Sequence, residues 1–373
     1  MIKDDFSAWV VPSVRTLKPY EPGKPIETLQ RETGIEKPLK LASNENPLGP
    51  SPQVLSGLKA EQLSLARYPD GNGFFLKQAL SEFYQLPEDC FTLGNGSNDI
   101  LELLARVFAA PGREVIFSQY AFVVYPLATQ AVGAQAVVIP AKEWGTDLLA
   151  MLAAINERTS LVFIANPNNP TGTCINAADL ESFLQQVPQH VVVVLDEAYY
   201  EYAQVEMSRR GDSYPNSEKW LARFPNLVIT RTFSKAYGLA GLRVGYSLSS
   251  PQVADFLNRI RQPFNVNAVA LQAAVLALSD QNHVAQSVEI NHQGLRFLEG
   301  CCQRLALNFI PSLGNFLTID VGNEAMDVYQ RLLQRGIIVR PLAPSGLPHH
   351  LRVSVGLPEE NQKFENSLMQ VLT

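Results

Sequence analysis

Residues 191–200 read VVVVLDEAYY: four valines and Leu195 run without interruption into Asp196, Glu197, Ala198, Tyr199 and Tyr200. Five consecutive apolar residues, mostly β-branched, have the length and composition of a strand buried on both faces. Such strands belong to parallel sheets covered by helices, and ligands of those sheets sit beyond the carboxyl ends of the strands. Asp196 falls at that end, where a charge needs a partner or a hydrogen bond. The runs 161–165 (LVFIA) and 227–230 (LVIT) repeat the pattern, and 114–117 and 136–139 read as shorter strands. Helical stretches lie around them. In 98–108, Ile100, Leu103, Leu104, Val107 and Phe108 share one face, and Pro111-Gly112 follows as a stop. The β/α alternation predicts a doubly wound, mostly parallel α/β domain over about 41–265.

After Pro263 the rhythm changes. A long helical stretch over 268–306 leads to a strand at 316–320, a helix at 326–335, strands at 336–340 and 351–355, and a final helix. This reads as a smaller α+β domain over 266–373, and the cleft between two such domains is a natural ligand site. Residues 1–40 carry Pro12, Pro19, Pro22, Pro25 and Pro38, which break regular elements. They are expected to form an arm that packs with the small domain or with a partner subunit.

The whole chain, 373 residues, has the length of two domains. With 46% hydrophobic and 18% charged residues it is globular, which excludes a disordered or coiled-coil protein. Lys+Arg 30 against Asp+Glu 36 gives −6, which argues against a nucleic-acid-coating surface or a polybasic membrane anchor. Cys90, Cys174, Cys301 and Cys302 form neither a CxxC pair nor a zinc-ligand spacing with histidine. They read as free thiols of a reducing compartment. The start, MIKDDFSAWV, lacks a basic stretch followed by an apolar one, and no apolar run approaches membrane-spanning length. These features point to a cytoplasmic protein without a resident metal.

Four segments carry chemistry. Lys235, in Thr232-Phe233-Ser234-Lys235, follows the run 227–230 and so also stands beyond a strand end, where a lysine can form a Schiff base. Asp196 has the position to pair with a protonated pyridine nitrogen, which turns such a ring into an electron sink. Asn166-Pro167-Asn168-Asn169-Pro170-Thr171-Gly172 is a rigid turn that could set an asparagine amide beside a phenolic oxygen. Gly94-Asn95-Gly96-Ser97-Asn98 feeds a helix N-terminus, whose free N–H groups and dipole suit a phosphate. Each alone has a plainer reading: a solvated lysine, a carboxylate capping the next turn, a loop, an ordinary helix start. Together they fit pyridoxal 5′-phosphate.

The order of these segments, with Lys235 last, resembles that of the fold-type-I aminotransferases of class I/II. The resemblance runs over about residues 10–371 and rests on NPNNPTG (166–172), DEAY (196–199) and TFSKAYGLAGLRVGY (232–246). Within the family, LKPYEPGKPIE (17–27), KLASNENPLGPSP (40–52), RYPDGNG (67–73) and LRVSVGLPEEN (351–361) are similar to the histidinol-phosphate aminotransferase subgroup.

The resemblance implies roles. Lys235 carries the cofactor and shuttles the substrate Cα proton; Asp196 pairs with the ring nitrogen; Tyr199 and Asn169 donate to the ring oxygen; and Tyr120 stacks on the ring. The phosphate falls to Ser97, Asn98, Thr232, Ser234 and Arg243, with Tyr68 reaching it from the neighbouring subunit of a homodimer. Arg352 fixes the carboxylate of L-glutamate or 2-oxoglutarate. Arg340 and Tyr20 are candidates for the distal phosphate of histidinol phosphate or imidazole acetol phosphate, and Asn44 for the pocket wall. Three readings compete with that substrate pair. Aromatic amino-acid aminotransferases share nearly every motif; threonine-phosphate decarboxylases use the same lysine to lose CO2; and a ligand-sensing domain would need an attached DNA-binding module, for which the first 40 residues leave no room.

Overall fold

The computed structural model describes residues 6–58 and 66–372. Its strands are β1 (Leu39–Lys40), β2 (Phe91–Gly94), β3 (Glu114–Ser118), β4 (Gln135–Ile139), β5 (Thr159–Ala165), β6 (Val192–Asp196), β7 (Leu227–Thr232), β8 (Gly245–Ser249), β9 (Asn308–Ile310), β10 (Phe316–Asp320), β11 (Ile337–Ile338), β12 (Arg340–Pro341) and β13 (His350–Ser354). Seven of them form one sheet in the order β2-β8-β7-β6-β5-β3-β4.

The valine run sits at its centre and is covered on both sides. Val191, Val193 and Leu195 enter one apolar core with Val162, Ile164, Leu227 and Ile229; Val192 and Val194 enter another with Leu161, Phe163 and Val228. A strand puts alternate side chains on opposite faces, so an unbroken apolar run is what two covering layers require. From β7 to β4 the pairs are parallel, whereas β8 runs antiparallel to both β7 and β2. The sheet is therefore mixed at one edge. Strand order reverses between β3 and β5, and β5, β6 and β7 end side by side at Ala165, Asp196 and Thr232. Ligands bind at such a switch point.

A four-stranded antiparallel sheet, β12-β13-β10-β9, builds the smaller layer, and β1 pairs in parallel with β11 through Leu39↔Ile337 and Lys40↔Ile338. Its core combines Leu317, Ile319, Leu351 and Val353 with Leu332 and Phe364 of the helices Ala325–Gln334 and Pro358–Leu372.

Three expectations change. The proline-rich leader is not free of regular elements: Pro12–Arg15 and Ile26–Thr33 are helices, with Pro12 and Pro25 at their starts, where a missing N–H costs nothing. Leu29 and Leu39 from this segment enter the smaller core, so that part of the arm is one of its walls. The helical stretch after residue 268 is two helices, Ala268–Ser279 and Gln281–Arg304, divided at Asp280, whose side chain caps the second by accepting from the His283 N–H. Ala270, Ala273, Ala274 and Val284 of these helices belong to the larger core, so packing does not divide at 265. The strand expected at 336–340 is two short ones, β11 and β12, in different sheets. Among the described residues no helix is long and apolar enough to cross a membrane.

Candidate active site

A cavity of about 680 Å³ opens beyond the carboxyl ends of β5, β6 and β7, between the two sheets. Thirteen of the fifteen residues expected at the site lie on its wall: Lys235, Ser97, Asn98, Asn169, Asp196, Tyr199, Thr232, Ser234, Arg243, Arg352, Arg340, Tyr20 and Asn44.

Lys235 is set by the turn after β7. Its Nζ donates to the carbonyl of Ser43 at 3.0 Å and lies 5.8 Å from the Tyr199 ring centre. Burial first, then the positive charge of Arg352, pulls its pKa down to about 7, because both disfavour the ammonium form. Asp196 is 5% exposed and would take up a proton more readily than a free carboxylate because it is desolvated. Two hydroxyls oppose that effect: Tyr125 Oη donates to Oδ2 at 2.8 Å and Thr230 Oγ1 to Oδ1 at 3.0 Å.

One end of the cavity is a cradle of donors. Helix Ser97–Phe108 begins there after Gly96, and among the described residues no side chain caps its first N–H groups. Gly96 has φ 80°, a conformation that favours glycine, and a Cβ on it would lie 2.5 Å from the Arg243 guanidinium and push that side chain away. Arg243 itself, at φ 55°, folds back so that Nη1 donates to Ser234 Oγ at 3.3 Å. Thr232 Oγ1 accepts from the Ser234 N–H at 3.1 Å, which holds the turn. N–H groups, hydroxyls and a guanidinium around one opening are suited to a phosphate.

The opposite end joins the two layers. Arg352 on β13 donates to Asn169 Oδ1 at 2.6 Å and to the Ala42 carbonyl at 2.7 Å, while its buried Nε has no partner among the described residues. Asn44, 1% exposed at φ 53°, donates through Nδ2 to Tyr199 Oη at 2.9 Å and accepts on Oδ1 from Ser354 Oγ at 3.0 Å. At the mouth, Arg340 lies over the Tyr20 ring at 5.6 Å and donates to the Glu21 carbonyl at 2.7 Å.

Two expected residues are elsewhere. Tyr120 does not line the cavity: at φ 57° its ring turns toward Trp144, 5.8 Å between centres, and it is Phe122 that stands on the wall. Three aromatics lie within six residues here, and their spacing in the sequence does not say which one faces inward. Tyr68 is 82% exposed, stacked on Phe264 at 4.7 Å and away from this chain's own cavity. Sequence reasoning also missed Tyr125 and Thr230; their bonds to Asp196 span 71 and 34 residues and follow only from the strand order.

The profile of the class I and II aminotransferases matches residues 36–365. Histidinol-phosphate aminotransferase 2 of Pseudomonas fluorescens is 56% identical over 370 residues, 99% of this chain and 98% of that one. Histidinol-phosphate aminotransferase 1 of Idiomarina loihiensis is 54% identical, covering 97% of each chain. Among solved structures, the histidinol-phosphate aminotransferase of Sinorhizobium meliloti in complex with pyridoxal-5′-phosphate superposes with a TM-score of 0.87 at 29% identity over 97% of both chains. The L-threonine-O-3-phosphate decarboxylase of Porphyromonas gingivalis shares the fold, with a TM-score of 0.77 at 20% identity over 90% of this chain and 99% of that one. The chain belongs to the class I and II aminotransferase family.

Proposed function

We propose that the protein is a pyridoxal-phosphate-dependent histidinol-phosphate aminotransferase, converting L-histidinol phosphate and 2-oxoglutarate to imidazole acetol phosphate and L-glutamate. One observation carries the reading. A lysine amine with a pKa near 7 shares a cavity with a phosphate-binding cradle and with a buried carboxylate held by two hydroxyl donors. That donor set fits the cofactor: Ser97, Asn98, Thr232, Ser234 and Arg243 would hold its phosphate, Asp196 its ring nitrogen, and Tyr199 and Asn169 its ring oxygen. Phe122, on the cavity wall, would stand against the ring in the role expected of Tyr120. When bound, the cofactor supplies an electron sink for the carbanion at the substrate Cα.

The chain does the rest. Lys235 Nζ, whose pKa is pulled down to about 7 by burial and Arg352, would accept the Cα proton and return one on the other side of the exchange. Arg352 presents a guanidinium already oriented by Asn169 and Ala42 to a carboxylate of L-glutamate. Arg340 and Tyr20, stacked at the mouth, offer a cation and a hydroxyl to the distal group, either the phosphate of histidinol phosphate or the second carboxylate of glutamate. One site can thus serve both substrates in turn, with the amino group stored between them.

The exposed pair Tyr68 and Phe264, with Phe74 and Phe75 also exposed, supports a homodimer in which Tyr68 serves the partner's phosphate cradle. The four cysteines are unpaired, which supports a cytoplasmic location. Steady-state kinetics with histidinol phosphate and 2-oxoglutarate test the assignment: parallel double-reciprocal lines and stoichiometric glutamate are expected. A kcat/KM at least tenfold higher for phenylalanine or tyrosine would move the protein to the aromatic aminotransferases.

A further inference from the structure

Tyr125 is a buried tyrosine that meets the proposed cofactor site only through Asp196. It is 1% exposed and sits in the first turn of the helix Val124–Ala131. Its ring stacks on Phe163 of β5, 4.6 Å between centres and 5° from parallel, and meets Phe122 edge-on at 6.0 Å. Its hydroxyl ends on Asp196 Oδ2 at 2.8 Å. The stack on the central sheet leaves that hydroxyl little freedom, so the bond is fixed by packing rather than by chance orientation.

We infer that Tyr125 is a positioning residue of the cofactor site: it holds Asp196 as an ionised acceptor facing the cavity, and thereby keeps the proton on the cofactor's ring nitrogen. The inference rests on the reading that Asp196 meets that nitrogen. Desolvation favours the protonated form of Asp196, and a neutral Asp196 would leave the ring nitrogen without an anionic partner and the ring a poorer electron sink. A donor on the carboxylate favours its charged form, and Tyr125 supplies one on Oδ2 while Thr230 supplies one on Oδ1. Each oxygen keeps further acceptor capacity, so the carboxylate can serve these donors and the ring together. Burial raises the phenol's own pKa far above neutrality, so Tyr125 acts as a donor at every working pH. The edge contact to Phe122 adds a second link, because the same side chain buttresses the aromatic on the cavity wall.

The test uses holoenzyme loaded with cofactor labelled with 15N at the ring, in wild type, Tyr125→Phe, Asp196→Asn and the double variant. Tyr125→Phe removes one oxygen and keeps the ring stack; melting of the cofactor-free protein checks that it folds. The nitrogen resonance is expected at the protonated position in wild type, at the neutral position in Asp196→Asn, and moved toward neutral in Tyr125→Phe. Cofactor dissociation should strengthen the case by rising about ten- to a hundredfold in Tyr125→Phe, the loss expected for a hydrogen bond to a charge. In the Asp196→Asn background the same change should add less than twofold. A wild-type resonance in Tyr125→Phe overturns the inference, as does an equal loss of affinity in both backgrounds, which would make Tyr125 a packing residue. Wild type and Asp196→Asn sharing one position would instead overturn the placement of Asp196, and the inference with it. Should Tyr125→Phe fail to fold, 3,5-difluorotyrosine placed at that position alone, a stronger donor of similar volume, is expected to tighten cofactor binding; weaker binding overturns the inference.

Discussion

Arg352 and Asn169, 183 residues apart in sequence, are joined by a hydrogen bond of 2.6 Å from Nη1 to Oδ1. The bond ties the strand that carries Arg352, proposed to bind the substrate carboxylate, to the loop proposed to hold the cofactor's ring oxygen. On the proposed roles, a carboxylate arriving at Arg352 would compete with Asn169 for the same guanidinium, and substrate binding would be felt at the cofactor.

Histidinol phosphate has no carboxylate, and the Arg352 contact should therefore separate the two substrates. In Arg352→Lys the fork geometry is lost while the charge remains. Its kcat/KM for L-glutamate is expected to fall about ten- to a hundredfold, the range for a charge-assisted bond, and that for histidinol phosphate by much less. Steady-state kinetics on each substrate check this; equal losses would remove Arg352 from carboxylate recognition.

Loading of the cofactor reports the lysine. Only the unprotonated amine of Lys235 attacks a carbonyl, and burial together with Arg352 lowers its pKa from 10.5 to about 7. Below that value the amine is protonated and unreactive; above it the rate levels off. Stripped protein should take up pyridoxal phosphate about tenfold faster at pH 8 than at pH 6 and gain little beyond. Stopped-flow absorbance measures the profile, and a rate still climbing at pH 10 would mean that the lysine is not perturbed.

Behind the site lies a buried ion pair. Arg231, fully buried on β7, bonds Glu197 through Nε at 2.9 Å and Nη2 at 2.7 Å, and Tyr84 Oη through Nη1 at 2.9 Å. Arg231→Met leaves Glu197, 1% exposed, without its cation. The change is expected to cost about 3–5 kcal/mol of stability, and Arg231→Met combined with Glu197→Gln should recover part of it. Denaturant titration of the three proteins tests this.

Tyr68 gives the proposed dimer a direct check. If it serves the partner's site, mixed dimers of Tyr68→Ala and Lys235→Ala chains contain one intact site and one doubly damaged site. Refolding the two inactive variants together should restore activity that neither has alone. No recovery in dimers shown to be mixed would confine Tyr68 to its own chain.

How far the sequence reaches is visible in particular elements. The valine run and its neighbours declare themselves because burial on both faces leaves no polar position to hide the pattern. β2 and β8 do not: FTLG is four residues long, and GYSLS places two serines among its apolar positions. The antiparallel direction of β8 comes from tertiary pairing and has no local signature. The break at Asp280 has neither proline nor glycine and depends on a side-chain cap. In the site, Lys235, Asp196 and Arg243 are legible because their neighbours form motifs. Phe122 is masked by Tyr120, whose backbone is left-handed and whose ring turns toward Trp144. Tyr125 is silent because its partner is reached across the sheet.

The most direct test of the assignment is a single half-reaction. Holoenzyme is mixed with histidinol phosphate and no oxo acid, and the visible absorbance of the bound cofactor is followed. The account predicts that the band converts, one equivalent per site, to that of the amino form of the cofactor, and that Lys235→Ala is inert. A band that is untouched by histidinol phosphate but bleached by phenylalanine or tyrosine would contradict it.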